Sequence, residues 1–481
     1  MCNAGFRVLN CLLALFLTFF AQPDTTLRLP GSVASAPSQL RLCSETDSLQ
    51  IAVVVFVGNR KTKERVLRAE LDLVEGEILT SGELEKRLEK NRLRLYNLQL
   101  FHWVRYETVC QAGRVTIIFE VQERWYLFPV PIFSLADRNI NAWLEKKDFN
   151  RIDYGLHLVQ YNFRGRNELL KANIQLGFNR KYELFYTVPY FNKKRNLGFS
   201  LGGSIYQSHS LDYTTGKNRL LTLHQDEVFP IQRRYATGSL ILRENVQKQT
   251  TLTASYHQEE ISDSVYQLNP EFFSNILNRK YLELEIARTL NFRNTFAYPL
   301  AGHFLQFGLT QQLGLNNNQH NTTAFAKYGR YIPLGKRFYY SYTLEGQSRL
   351  ASNLAYADNI ALGYTSYIRG YELYVIGGQH YGLLKQGLSH PLLDLNQIEL
   401  KFIRNPKFNR IPVTLYLNWF ADAGYTVENR FEQTNFLTNR LNMATGMGLH
   451  LVTYYDRVIT FEYSVNREGR TGLYIHTTFP F

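Results

Sequence analysis

The chain is poor in the residues that punctuate or staple a small secreted fold. Only 14 Pro and 4 Cys occur in 481 residues, which excludes a proline-rich linker array and a disulfide scaffold. Beyond the N-terminus no apolar run reaches the length of a membrane-spanning helix, which leaves a soluble chain or a β-barrel. The 11 His and 4 Cys fall into no zinc-ligand spacing, and there is no HExxH, phosphate loop or nucleophile elbow. No metal, cofactor or enzymatic activity is therefore expected. His380 and His390 are read as polar loop residues. The net charge of +13 is scattered along the chain instead of gathered on a helix or stripe, which argues against nucleic acid as a partner.

Aromatic residues are abundant. Tyr and Phe number 32 each, and the chain is 45% hydrophobic, yet its mean hydropathy is −0.27. Apolar residues are thus diluted by polar ones almost one for one, as alternating strands require. Arg7 precedes the apolar run Val8 to Ala21, too short and too early for a spanning helix. Residues 1–21 are read as a secretory signal peptide, cleaved after Ala21 or alternatively after Ala36, with 22–44 as a linker. Cys2 and Cys11 would leave with it. Cys43 and Cys110 would remain in an oxidising compartment, where a pair permits one disulfide, two buried thiols being the alternative.

Residues 45–124 read as a small α+β module. The β-branched run Gln50 to Val57 closes at Gly58-Asn59, as a buried strand ending in a turn does. A helix is expected over Lys61 to Leu73. After Gly76, Thr80-x-x-Glu83 has the form of a capping box opening a second helix, with Leu84, Leu88, Leu95 and Leu98 on one face. Strands over Phe101 to Val109 and Val115 to Val121 flank the turn Gln111-Ala112-Gly113.

From Trp125 onward the dominant period is two. Ala172, Ile174, Leu176 and Phe178 alternate with polar residues, as do Leu282, Leu284 and Ile286, and Phe338, Tyr340, Tyr342 and Leu344. At about 22 residues per strand and connection, 125–481 holds roughly 16 strands. Behind a signal peptide, so many strands predict a membrane β-barrel, whose closure removes free edges. Counting back from Phe481, connections fall alternately at the two ends, with Tyr364 to Asp394 and Tyr425 to Arg440 outside and Asn405 to Ile411 inside. Apart from Arg467 to Arg470, long ones are outside, as bacterial barrels prefer.

Strand phase assigns faces. Val413, Leu415, Leu417 and Trp419 point to lipid, leaving Asp422 in the lumen. Ile398, Leu400 and Phe402 point to lipid, leaving Glu399 inside. A guanidinium can satisfy two carboxylates through its planar fork, and Arg369 is the candidate if its loop folds back.

The order β-α-α-β-β, with Gly58-Asn59, Tyr96-Asn97-Leu98-x-Leu100-Phe101 and Glu123-Arg124, resembles the POTRA module of outer-membrane assembly proteins. Ile368-Arg369-Gly370-Tyr371 resembles the (V/I)RG(F/Y) motif of the BamA/TamA family, the bacterial surface antigen family, a motif shared with two-partner-secretion transporters. Phe420-x-Asp422-x-Gly424 is similar to its F-x-D-x-G strand, Ile398-Glu399-Leu400-Lys401-Phe402 to its E-L-(R/K)-F strand, and Tyr298-Pro299-x-x-Gly302 to its YPxxG turn. Phe479 and Phe481 stand where its C-terminal assembly signal ends. The resemblance implies a loop anchor in the barrel lumen made by Arg369, Gly370, Tyr371, Glu399, Asp422 and Gly424. It also implies a seam between Trp125 to Ser134 and Thr471 to Phe481, an outer-membrane location in a Gram-negative bacterium, and help in inserting or translocating client proteins. Expected partners are outer membrane lipids, unfolded or partly folded clients, and periplasmic or lipoprotein factors. Only one POTRA-like module fits before Trp125, where the main assembly factor has several. A solute or lipid pore and a structural surface antigen are the alternative functions.

Overall fold

A computed structural model describes residues 48–135, 152–335, 337–399, 410–431, 435–453, 455 and 457–478. The N-terminal unit comprises β1 (Ser48–Val57), α1 (Glu64–Arg68), β2 (Ile78–Thr80), α2 (Ser81–Tyr96), β3 (Phe101–Gln111) and β4 (Arg114–Glu123). Its sheet runs β2-β1-β4-β3, with β1 parallel to β4 and the other pairs antiparallel. Leu84, Leu88 and Leu95 of α2 are buried against Leu49, Ile51 and Val54 of β1 and Val115, Ile117 and Phe119 of β4. Each such side chain contributes about 1.5–3 kcal/mol. The Thr80 hydroxyl accepts the Glu83 N–H at 3.3 Å and fixes the start of α2. The first helix is shorter than its periodicity predicts. It stops at Arg68 because the chain must turn back to pair β2 with β1, where Leu79 lies opposite Leu49.

The remainder is one large antiparallel sheet and its connections. Its strands begin with β5 (Leu127–Leu135), β6 (Ile152–Phe163), β7 (Glu168–Gly177), β8 (Arg180–Val188) and β9 (Leu197–Ser208). A separate hairpin of β10 (Ser210–Gly216) and β11 (Arg219–His224) follows. Next come β12 (Ile231–Asn245), β13 (Lys248–Ile261), the short helix α3 (Asp263–Leu268), β14 (Asn278–Asn291) and β15 (Gly302–Gly314). Then come β16 (His320–Leu334), β17 (Phe338–Ser352), β18 (His380–Glu399) and β19 (Arg410–Val427). The last three are β20 (Leu441–Thr453), β21 (Arg457–Asn466) and β22 (Thr471–Thr478). Sixteen strands pair in sequence order around the hairpin, with β5 and β22 at the two ends. The sheet curls on itself. The Phe128 ring of β5 lies 5.4 Å from Tyr455, between β20 and β21.

Ile174, Leu184, Leu201, Leu284, Leu344 and Phe461 face outward and are exposed, whereas Asn418, Asp422 and Ser464 are buried inside. An apolar exterior around a polar interior is the signature of a membrane barrel. The proximal end, toward the N-terminal unit, carries turns such as 164–167 and 246–247. The distal end carries the long connections 209–230, 262–277 and 353–379.

In the barrel sheet two distal boundaries differ from expectation, β19 running on to Val427 and β18 beginning earlier. The distal connection read as Tyr364 to Asp394 spans 353–379, so His380 and His390 both lie on β18. Pro391 is accommodated within β18 at a register shift between Pro391 and Leu393, where a bulge tolerates the missing donor.

The N-terminal unit is docked on the proximal end. The buried Glu70 carboxylate lies 2.6 Å from the Arg243 guanidinium of β12 and accepts the Val246 N–H at 2.8 Å. Asn162 donates to the Thr62 hydroxyl at 2.8 Å, and Tyr190 packs into the unit's core.

Candidate functional site

The distal connection 353–379 folds back into the lumen. Arg369 donates through Nε to Asp422 Oδ2 at 2.8 Å and through Nη2 to Asp422 Oδ1 at 2.6 Å, a two-point fork. Nη1 reaches Glu462 Oε1 at 3.2 Å, and Nη2 also donates to the Gln386 carbonyl at 3.1 Å. The Asp422 side chain is fully buried and that of Glu462 is 5% exposed. The guanidinium carbon stands 3.9 Å from the Phe420 ring centroid, so the cation is held from the edge by carboxylates and from the face by an aromatic quadrupole.

Both glycines of the two motifs have a steric reason. Gly370 has φ of 89°, and a Cβ there would come within 3.1 Å of Ala444 and Ser464. A Cβ at Gly424 would lie 2.6 Å from Ile368 Cδ1. The wall is bare at Gly424 so that the loop can lie against it. Ile368 and Tyr371 are each 1% exposed, in a cluster with Leu362, Leu383 and Leu437. The Gly370 carbonyl accepts from Asn466 Nδ2 at 2.8 Å.

Glu399 is not part of this constellation. It is the last residue of β18, exposed and opposite Arg410, whereas the β18 residue opposite Asp422 is Lys385. The misplacement follows from starting the strand too late, after Asp394. The second acid on Arg369 is Glu462 of β21. Its signal lay in phase alone: Phe461, Tyr463 and Val465 alternate outward, which turns Glu462 inward. Cys110 is disulfide-bonded, while Cys43, its expected partner, lies outside the described residues. Phe479 and Phe481 also lie outside them.

Contacts at two further places extend the network. The turn between β14 and β15 enters the lumen from the proximal end, and the Tyr298 ring stacks on Tyr416 with centroids 4.8 Å apart. The Tyr298 hydroxyl is 3.0 Å from His450 Nδ1, and His450 Nε2 is 3.2 Å from Glu462 Oε1. At the other end of the loop Arg279 of β14 contacts Asp358 at 2.8 Å and Glu259 of β13 at 2.6 Å. Asp358 and Arg369 therefore fasten one loop to strands five and seven places apart in the sheet order.

Residues 162–455 match the model of the Omp85 superfamily domain. The chain belongs to the Omp85 superfamily. In this Omp85 protein residues 50–124 match a second model, the POTRA family, described as surface antigen variable number repeat. Among solved structures it is similar to BamA from Haemophilus ducreyi lacking POTRA domains 1–3, with a TM-score of 0.51 and 16% identity over 89% of this chain and 84% of that one. CdiB from Escherichia coli gives a TM-score of 0.48 and 14% identity over 89% and 75% of the two chains. CdiB from Acinetobacter baumannii gives 0.44 and 16% over 89% and 74%. None of the curated proteins compared with the chain matches it in sequence. At these identities the BamA likeness speaks for the fold of the Omp85 protein alone.

Proposed function

We propose that this Omp85 protein sits in the outer membrane of a Gram-negative bacterium and assists the insertion into, or translocation across, that membrane of client proteins. Residues 45–124 form its periplasmic module and 125–481 its barrel, so the proximal end faces the periplasm. The protein acts without covalent chemistry. Clients are captured by strand addition on β3, the long edge strand of the N-terminal sheet. They leave through the seam between β5 and β22, the terminal strands of the barrel sheet. Phe479 and Phe481 serve as its own assembly signal, and lipoprotein or periplasmic partners assist.

The observation that carries this reading is the buried fork of Arg369 on Asp422, with Glu462 behind it. A loop held by a single internal ion-pair cluster can be let go by breaking that cluster, a device that suits a gated route and that a static pore has no need of. The test is a depletion strain followed by quantitative proteomics of the outer membrane. Loss of a defined set of barrel or surface-displayed proteins is expected. An unchanged outer-membrane proteome and unchanged surface display would overturn the proposal.

A further inference from the structure

The proximal rim between β6 and β9 carries a feature that neither the loop anchor nor the client route uses. Four aromatic rings form a continuous chain there. Phe163 lies 6.3 Å from Tyr186, Tyr186 lies 6.2 Å from Phe199, and Phe199 lies 5.8 Å from Phe191. Tyr186 and Phe199 share strand faces with the outward, exposed Leu184 and Leu201, and Phe191 is 58% exposed. Such a girdle marks the level at which hydrocarbon gives way to headgroups.

Immediately beyond it the charge is of one sign. The turn 189–196 carries Lys193, Lys194 and Arg195 and no acid. The turn 164–167 adds Arg166, whose Nε is buried without a hydrogen-bond partner among the described residues. The docked domain brings Lys61, Lys63 and Arg65 to the same rim, since the Lys63 N–H donates to the Gly165 carbonyl at 2.9 Å. Arg65 and Arg195 lie within Coulombic range of one buried residue, Tyr190. Among the described residues none of these seven cations has a side-chain ion pair with an acid: the nearby Glu64, Glu168 and Glu70 are taken up by Arg68, Arg164 and Arg243, and the Glu123 carboxylate accepts the backbone N–H groups of Lys61 and Thr62.

We propose that this rim, built jointly by two barrel turns and the POTRA domain, binds anionic phospholipid headgroups in the leaflet on the domain's side. The occupant follows from position and charge. Unpaired cations directly past an aromatic girdle meet the headgroup layer, and each one near an anionic surface contributes to attraction. Lipid bound there bridges barrel and domain, and so holds the docked orientation.

The test uses the full-length protein in neutral detergent, titrated with phosphatidylglycerol and read by native mass spectrometry. Phosphatidylethanolamine and inorganic phosphate serve as parallel probes. Wild type is expected to prefer phosphatidylglycerol. The Lys63→Gln/Lys193→Gln/Lys194→Gln variant is expected to lose about tenfold in apparent affinity at low salt, and 0.5 M salt, about three times the physiological ionic strength, should erase the difference. Lys217→Gln, at the distal end, should change nothing. Heat-modifiable mobility in gels checks folding. If the triple variant fails to fold, Lys193→Gln/Lys194→Gln on its exposed turn gives the same readout. Wild-type affinity in the folded variant, equal retention of phosphatidylethanolamine, or displacement of the lipid by millimolar phosphate would each overturn the proposal.

Discussion

Arg369 is the only residue of its loop whose charge is answered by two buried carboxylates. Removing one member of a buried pair strands the other and costs about 3–5 kcal/mol. Arg369→Ala is therefore expected to release the loop, seen as new protease cleavage within 353–379, while the barrel keeps its heat-modifiable mobility. Arg369→Lys keeps the charge but loses the fork, so intermediate cleavage is expected. Equal resistance of all three proteins would show that Arg369 does not hold the loop. The same scale shows what the sequence could tell. Asp422 was legible because its strand alternates cleanly and its loop partner sits in a recognisable tetrapeptide. Glu462 was legible only in principle, since its strand carries no motif, and Glu399 was misassigned because phase gives the face of a strand but not the level along it, and Glu399 pairs with Arg410 at the opposite end of β19 from Asp422. In the N-terminal unit, burial alone would raise the Asp72 carboxyl, but hydrogen bonds from Lys90 and Asn91 and the charge of Arg94 outweigh it and hold its pKa below the ordinary value. A lowered folded-state pKa stabilises above the unfolded value, near 4, and that stability is lost as pH falls through the folded one. Asp72→Asn should accordingly lower the unit's thermal stability at pH 7, and the difference from wild type should narrow progressively as pH falls below the unfolded value near 4, as followed by circular dichroism.

Elements act here in pairs. The distal loop and the proximal turn 292–301 meet through Tyr298, His450 and Glu462, so the anchor is braced from both ends of the lumen. The turn also accepts hydrogen bonds from Asn97 of the N-terminal unit at the Arg293 and Asn294 carbonyls, each at 3.4 Å. Tyr298→Phe removes one hydroxyl from a buried chain and should destabilise by about 1–3 kcal/mol. Hydrogen exchange should rise at 366–371 as well as at 292–301. Exchange confined to the turn would mean that the two elements are not coupled. The YPxxG spelling drew attention to this turn, but its seating depends on which far strand curls beneath it. That is a property of barrel closure, and no local pattern encodes it. Helix α1 teaches the complementary point. Its apolar spacing continues past Arg68, and the short strand that interrupts it is specified by a partner distant in sequence.

For the whole molecule, sixteen strands followed from alternation and length because a half-lipid, half-water sheet imposes its period on every segment. The docking of the N-terminal unit did not, since Glu70 and Arg243 carry no local sign of being partners. Both are buried, so Glu70→Gln should loosen the interface. Increased exchange at 62–70 and 243–247, with α2 still protected, is expected; uniform exchange across the unit would indicate unfolding instead. A larger consequence follows from the loop fastened at Asp358 to one wall and at Arg369 to another. A chain held at two ends behaves as a tie rod. It resists being stretched and offers nothing against slack. The short stretch between those two residues thus sets an upper bound on the lumen's width along one chord, since an extended chain reaches only about 3.3–3.6 Å per residue. Widening elsewhere must draw in that chord or break a fastening, and the barrel's compliance is therefore directional.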